Sequence, residues 1–181
     1  MQAVTEEEIQ EILFQTPTLQ CHGKSLHFDG PEAQSTILSL KVSEPHQLVH
    51  LARLLAHLNF DEGHFAGAEF WITQSAAWNQ QEEAVALKTL ERMRQGYGEN
   101  RPLESAPAHL FRSDEFVESV SFLLQPMLIG WDAYYIPHWS SDSLDYFLFV
   151  SHDAFVRIET RTTQVKEKVT QKLGFYDWIK I

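Results

Sequence analysis

The sequence predicts an α+β fold: a single domain, residues 1–181, in which a largely antiparallel sheet of about five to six strands is packed by about four to five helices. Residues 130–160 are dense in aromatic and β-branched side chains, as in a β-hairpin that continues into a third strand. Other stretches repeat apolar residues at helical spacing. Strand-like segments are neighbours at both ends of the chain, which favours hairpins and an antiparallel sheet with helices on one face.

A capping signature predicts the first helix. Thr5 and Glu8 have the spacing at which a threonine hydroxyl and a glutamate side chain bond each other's backbone N–H groups. Ile9 begins the apolar face behind this cap, and we expect the helix to stop before Pro17.

Two extended segments follow, residues 19–28 and residues 34–43. The Asp-Gly-Pro sequence at 29–31 is a turn signal between them. In the second segment, Leu38 and Leu40 alternate with polar residues, which is the pattern of a half-buried strand.

The middle of the chain alternates helix and strand signals. Pro45 is a favourable first residue for a helix over 45–58. Residues 68–74 predict a strand, and Asn79 with Glu82 marks the start of a helix through about residue 95.

Residues 97–112 show no periodicity, and we expect a loop there. Ser113 is predicted to cap a helix to about residue 124, closed by Pro126. A last helix ends at Gly174 and has an apolar seam of Val165, Val169 and Leu173. The apolar terminal segment 175–181 is expected to dock.

The aromatic hairpin is predicted to form the centre of the sheet. Strands 131–139 and 144–151 are joined by a polar loop at 140–143. Both sides of these strands carry aromatic residues, so we expect both faces of the sheet to be covered. One register consistent with the loop sets Tyr134 against Phe149.

That register yields the first candidate site. If Trp139 lies opposite Leu144, then His138 faces Asp145, and Asp132 lies on the same face. A carboxylate next to an imidazole fixes its tautomer and favours its protonated form, so this cluster is a candidate for acid/base catalysis. A slip of one residue removes the pairing, and the alternative is a polar hairpin end above an aromatic core.

The second candidate pair is His152 with Asp153, where we predict a turn or bulge at 151–154. The two residues are a possible base and its orienting carboxylate, with Glu69 as a further contributor. Neighbouring strand residues point to opposite faces, so joint action requires the turn to break the alternation. A purely structural turn is the competing interpretation.

Two polar clusters have simpler interpretations. The helix over 45–58 carries four basic residues on one face, and zinc binding there is opposed by the fixed cation of the arginine; they are His46, His50, Arg53 and His57. We interpret this face as solvent-exposed and expect no metal site.

Glycines flanked by arginines suggest an anion site at Arg92, Arg94 and Arg101. These glycines follow a helix C-terminus, where the dipole repels anions, so Gly96 as a helix stop is the simpler explanation. A second basic island is expected to be a solvated surface with Glu159 and Glu167 as ion-pair partners: Arg157, Arg161, Lys166, Lys168 and Lys172.

Charge and cysteine content limit the class of protein. The net charge of −11 argues against binding to nucleic acids or anionic membranes. Acidic residues at positions 6–8 and the lone Cys21 are typical of a protein without a secretory signal in a reducing compartment, and we expect a cytoplasmic location. Nothing in the sequence predicts a cofactor.

Two functions remain open. The first is a non-catalytic protein-interaction or regulatory domain that binds another protein or itself, with tryptophans as candidate anchors. The second is a small hydrolase or metal-dependent enzyme that uses the histidines and aspartates at the ends of the 131–152 hairpin.

Overall fold

The computed structural model describes residues 1–14, 19–22, 25–42, 44–60, 67–75, 80–137 and 144–174. These residues form five helices, and the α+β class is confirmed: α1 (Glu6–Phe14), α2 (Pro45–Phe60), α3 (Gln80–Gly96), α4 (Phe116–Ile129) and α5 (Thr163–Leu173). Nine strands accompany them: β1 (Gln2–Val4), β2 (Leu19–His22), β3 (Ser25–Phe28), β4 (Gln34–Ser39), β5 (Gly67–Ser75), β6 (Ala108–Arg112), β7 (Trp131–Pro137), β8 (Tyr146–Ser151) and β9 (Phe155–Thr160).

Seven strands form one sheet in the order β1-β6-β5-β7-β8-β9-β4, and each neighbouring pair is antiparallel. Strands β2 and β3 form a separate hairpin, so the prediction of one extended segment over 19–28 was wrong. The loop expected at 97–112 was also partly wrong, because β6 occupies its end. Both faces of β6 are largely buried, and the strand therefore lacks the polar alternation that marks a half-buried strand.

The aromatic hairpin lies near the middle of the sheet. All seven residues of β7 are buried, with β5 on one side and β8 on the other. The predicted register is confirmed where the ladder extends: Tyr134 pairs with Phe149, and Tyr135 pairs with Leu148.

The sheet is covered on both sides. On its helix face, residues such as Tyr135 and Leu148 pack into a core shared with α2, α4 and α5. On its opposite face, here called the outer face, Tyr134 and Phe147 pack against α1 and the β2–β3 hairpin. The Tyr134 hydroxyl accepts a hydrogen bond of 3.1 Å from the Leu26 N–H in that hairpin. Helices on one face only were predicted, and α1 contradicts this.

Local signals explain two helix ends. The Thr5 N–H donates to Glu8 Oε2 at 2.8 Å and the Glu8 N–H donates to Thr5 Oγ1 at 3.3 Å, which confirms the capping box. The predicted stop of α4 before Pro126 was wrong. Proline in the last turn removes only one backbone donor, so α4 continues to Ile129, and Gly130 with a φ of 69° provides the left-handed cap.

The C-terminal helix follows its predicted seam. Val169 and Leu173 are buried against the helix face, and the Thr162 side chain caps the helix by accepting from the Val165 N–H. None of the helices in the described ranges combines the length and the apolar character needed to cross a membrane.

Candidate functional site

Asp132 and His152 meet at one end of the central strands. Asp132 is the second residue of β7, and His152 directly follows β8. One Asp132 carboxylate oxygen, Oδ1, accepts a 2.9 Å hydrogen bond from the His152 backbone N–H and lies 2.8 Å from the imidazole Nδ1. The register of β7 and β8 produces this contact, because continuing the ladder places Asp132 level with Ser151.

A tight turn places Asp153 on the other side of the same imidazole. The Ala154 N–H donates to the Ser151 carbonyl at 3.1 Å, the Ser151 hydroxyl accepts from the Asp153 N–H, and Ala154 has a φ of 61°. The predicted turn at 151–154 is confirmed. It breaks the strand alternation, and His152 Nε2 lies 3.7 Å from Asp153 Oδ1.

This arrangement resembles a base with an orienting carboxylate. Asp132 accepts at Nδ1, so the neutral imidazole carries its proton there and has its lone pair on Nε2. The His152 side chain is 28% exposed, which leaves it within reach of solvent. The same contacts also have a structural role, because Asp132 binds the backbone of the turn.

The structure adds Asp132 to the predicted pair of His152 and Asp153. Sequence reasoning placed Asp132 with His138 instead, although the register that it used already brings Asp132 to the β8–β9 turn. His138 lies outside the described residues, and its contact with Asp145 stays a prediction. Asp145 lines a cavity of about 80 Å³, which has room for a few water molecules only and is far smaller than usual substrate pockets.

In the predicted anion site, Arg101 binds a carboxylate of the chain itself. Arg101 donates from Nε and Nη2 to the carboxylate of Glu99 at 2.9 and 2.7 Å. The hydrogen bonds from Arg101 lower the pKa of Glu99 to about 2. Arg94 is only 1% exposed and donates from Nη2 to the Ala106 carbonyl at 3.0 Å. Arg92 is exposed and lies two residues from Arg94, so it projects from another side of α3.

Burial of Arg94 is unexpected for a cation. Its Nε and Nη1 atoms have no hydrogen-bond partner within the part of the chain that the structure describes. Burial lowers the pKa of Arg94, and the negative charge of Glu99 opposes this shift. Arg94 therefore has a structural role, since it connects α3 with the segment that leads into β6.

The basic face of α2 is exposed, as predicted: His46, His50, Arg53 and His57. The rings of His46 and His50 lie 5.9 Å apart, whereas His57 packs against Phe116 at 4.4 Å. Across the described ranges, no three His, Cys, Asp or Glu side chains are grouped as metal ligands.

The one tryptophan whose side chain is described does not support an interface. Trp131 is 2% exposed and belongs to the core of the helix face. The side chains of Trp71, Trp78, Trp139 and Trp178, like that of Glu69, lie outside the described set. Among the residues with described side chains, the exposed large apolar ones are instead distributed over β4, three helices and Tyr97, which follows α3.

A polar cluster lies on the outer face of β9; the ion pair of Arg157 with Glu159 was predicted, but the expected solvated surface is wrong for Glu159, which is buried. Glu159 is 6% exposed, accepts from the Ser35 hydroxyl at 3.2 Å and lies 3.0 Å from Arg157 Nε. His27 approaches the same carboxylate at 3.7 Å. The guanidinium of Arg157 lies over the ring of Phe149, 5.0 Å from its centroid. Arg157 is thus directed towards β8 and away from β4.

Strand β4 is an open edge of the sheet. Leu40 donates its N–H to the Ala154 carbonyl, and in an antiparallel ladder inward and outward residues alternate. The main-chain groups of Ser35, Ile37 and Ser39 therefore point away from β9. Among the described residues no strand pairs with this side of β4, and the Ile37 side chain is 56% exposed.

Comparisons with known proteins provide no relative: no family model matches the chain, and neither a curated protein nor a solved structure is similar to it. Function is therefore inferred from the geometry of these surfaces alone.

Proposed function

We propose that the chain is a non-catalytic protein-interaction domain and that β4 is its docking element. In this proposal an extended segment of a partner adds to β4 as a further strand. The observation that carries it is the outer side of β4, which pairs with no strand in the described part of the chain and has outward main-chain groups at Ser35, Ile37 and Ser39. Strand addition of this kind derives affinity from main-chain hydrogen bonds and specificity from alternate side chains.

The composition of β4 supports this role. Natural edge strands are usually protected by charged residues, proline, bulges or short length. Strand β4 has six residues without charge or proline, and its six pairs with β9 continue without a register shift. Its helix-face residue Leu38 is fully buried, so the strand is held firmly by its own domain.

The size of the edge predicts a transient complex. About six added hydrogen bonds at a net ~1 kcal/mol each are comparable with the lower end of an association cost of ~4–15 kcal/mol. Burial of Ile37 contributes further apolar area. We therefore expect a weak complex that dissociates readily.

A random-peptide display selection tests the proposal. The wild type, Ile37→Lys and Val117→Lys are used as baits; both substitutions replace an exposed aliphatic residue, on β4 and on α4 respectively. We expect the wild type and Val117→Lys to bind the same β-prone peptides and Ile37→Lys to bind them about tenfold more weakly. Failure to select any peptide, or equal binding by Ile37→Lys, contradicts a docking role for β4.

A second candidate function is hydrolysis by the cluster of Asp132, His152 and Asp153, with His138 and Asp145 as the other predicted participants. The 2.8 Å contact of His152 Nδ1 with Asp132 favours it, because the proton of the neutral imidazole is then held at Nδ1 and Nε2 is the ring nitrogen suited to accept a proton. The test is turnover of activated esters and phosphate esters. This role requires a loss of about 10²-fold or more in Asp132→Asn and His152→Gln. Wild-type turnover no faster than buffer excludes the reaction for those substrates.

A further inference from the structure

We propose that the partner accepted by β4 is a second copy of this chain, related by a two-fold axis that runs between two antiparallel β4 strands. The two seven-stranded sheets would join into one continuous sheet of fourteen strands. This inference rests on the proposed docking role of β4 and specifies its occupant.

The direction of the main-chain groups determines the register. In an antiparallel pair, residues that exchange hydrogen bonds lie directly opposite each other. The outward residues of β4 are Ser35, Ile37 and Ser39, so each must oppose an outward residue of the second strand. Only one symmetric register uses all three. It sets Ile37 opposite its own counterpart and Ser35 opposite the second copy's equivalent of Ser39.

Side chains agree with this register. Residues opposed in an antiparallel pair project from the same face, and the two isoleucines would contact each other on the outer face. Ile37 is 56% exposed in the isolated chain, so pairing removes apolar surface that is otherwise in water. Arg157, the neighbour of Ile37 on β9, is directed over Phe149 and leaves that face of the edge accessible.

Charge selects the antiparallel orientation and a second copy. Exposed Asp29 and Glu32 precede β4, exposed Lys41 follows it, and the strand itself is uncharged. Antiparallel self-pairing places the acidic end of each strand beside the basic end of the other, and symmetry repeats this contact. Parallel pairing would place acid beside acid. Exposed Glu44 also follows β4, so the flanks of the strand keep a net negative charge, and the repeated contact between Glu32 and Lys41 offsets part of the repulsion between two chains of net charge −11.

Sedimentation equilibrium on the full chain, up to about 200 µM in physiological salt, tests the proposal. We expect reversible dimerisation by the wild type and by Val117→Lys, and at least about tenfold weaker dimerisation by Ile37→Lys. Glu32→Lys and Lys41→Glu, each alone, place like charges together and weaken the dimer. Their combination restores opposite charges and is expected to recover most of the lost affinity.

A cysteine pair tests the register even where a variant alters folding. In a Cys21→Ser background, Ile37→Cys is expected to form an intermolecular disulfide, because hydrogen-bonded opposite residues have Cα atoms about 5.5 Å apart. Ser35→Cys is the matched control, since its counterpart lies several residues away along the strand. Equal cross-linking of both variants overturns the register.

The outcomes separate this inference from the proposed function. A wild-type chain that stays monomeric overturns self-pairing. If selected peptides then still bind the wild type and fail to bind Ile37→Lys, the occupant of β4 is another extended segment. A dimer that Ile37→Lys leaves intact places the contact elsewhere and overturns the inference as well. A monomer that selects no peptide removes both proposals.

Discussion

The two edges of the sheet differ in how they are protected. At one edge, β1 has three residues and turns directly into α1. Arg101, held by Glu99, donates from Nη2 to the outward carbonyl of Ala3 at 3.4 Å. At the other edge, β4 has six residues, and neither charge nor proline protects it.

Only one of the two edge strands therefore lacks protection among the described residues, and that strand is β4. A groove of about 450 Å³ follows β1 and is lined by charged groups, including Glu8, Glu99 and Arg101. A hydrophobic strand added there would remove those charges from water, which is unfavourable. The comparison therefore favours the β4 edge over the β1 edge for the proposed docking.

The largest expected effect on stability is at Arg94, which bonds the segment leading into β6, the strand next to β1. Arg94→Ala is expected to cost about 2–4 kcal/mol, because it leaves a cavity and removes the bond to the Ala106 carbonyl ahead of β6. Arg94→Met fills most of the space without a buried cation and is expected to cost about 1 kcal/mol or less. Urea denaturation measures both. A larger loss in the methionine variant would contradict this view of Arg94.

Proline substitutions at two neighbouring positions of β4 distinguish a residue bonded to β9 from a residue that points away from it. Thr36 is predicted by the ladder to donate its N–H to β9, so Thr36→Pro is expected to lower stability by about 2–3 kcal/mol. Ile37 directs its N–H outward, and Ile37→Pro is expected to cost about 1 kcal/mol or less while it blocks strand addition. Thermal unfolding and sedimentation of both variants provide the test. The reverse order of stability would show that the assignment of outward residues is wrong.

The protected edge is also expected to respond to acid. Hydrogen bonds from Arg101 hold the pKa of Glu99 at about 2, below its ordinary value of 4.5. This interaction stabilises the fold fully above pH 4.5 and is lost as the pH falls towards 2. Glu99→Gln is expected to cost about 0.5–1 kcal/mol at neutral pH and to flatten the stability profile in that range. An unchanged slope in the variant would assign the acid response to other carboxylates.

The smallest stability effect is expected at the exposed side chain of the open edge. Ile37→Thr keeps the β-branched shape and is expected to change the free energy of unfolding by about 0.5 kcal/mol or less, because the isoleucine is largely exposed. Its effect on association is expected to be larger than its effect on stability. Equal losses in both measurements would indicate that Ile37 supports the fold of the monomer.

Parts of this fold were accessible from local sequence patterns. The β7–β8 register followed from alternating aromatic residues and a polar loop, and the pairing of Tyr134 with Phe149 confirms it. The capping box of α1 is likewise a local signal. Strand β6 was missed because neither of its faces is consistently polar, and β1 because it is three residues long and pairs with a strand about a hundred residues away.

The candidate surfaces were harder to predict because they depend on strand order. The sequence identified β4 as a strand, but only the topology makes it an edge. Burial of Arg94 has no local signal, since arginine at a helix end is normally solvated. His152 was identified as a candidate without Asp132, because their contact joins residues twenty positions apart through the ladder.

The hydrogen bond between the Leu26 N–H and the Tyr134 hydroxyl has a consequence for how the layers separate. The hairpin that contains Leu26 belongs to its own small sheet, whereas Tyr134 belongs to the central strand. The amide proton of Leu26 can exchange with solvent only after this bond opens, so its exchange rate reports detachment of the hairpin. Amides of β7 report opening of the large sheet. The ratio of these two exchange rates shows whether the β2–β3 hairpin opens as a cooperative unit separate from the large sheet.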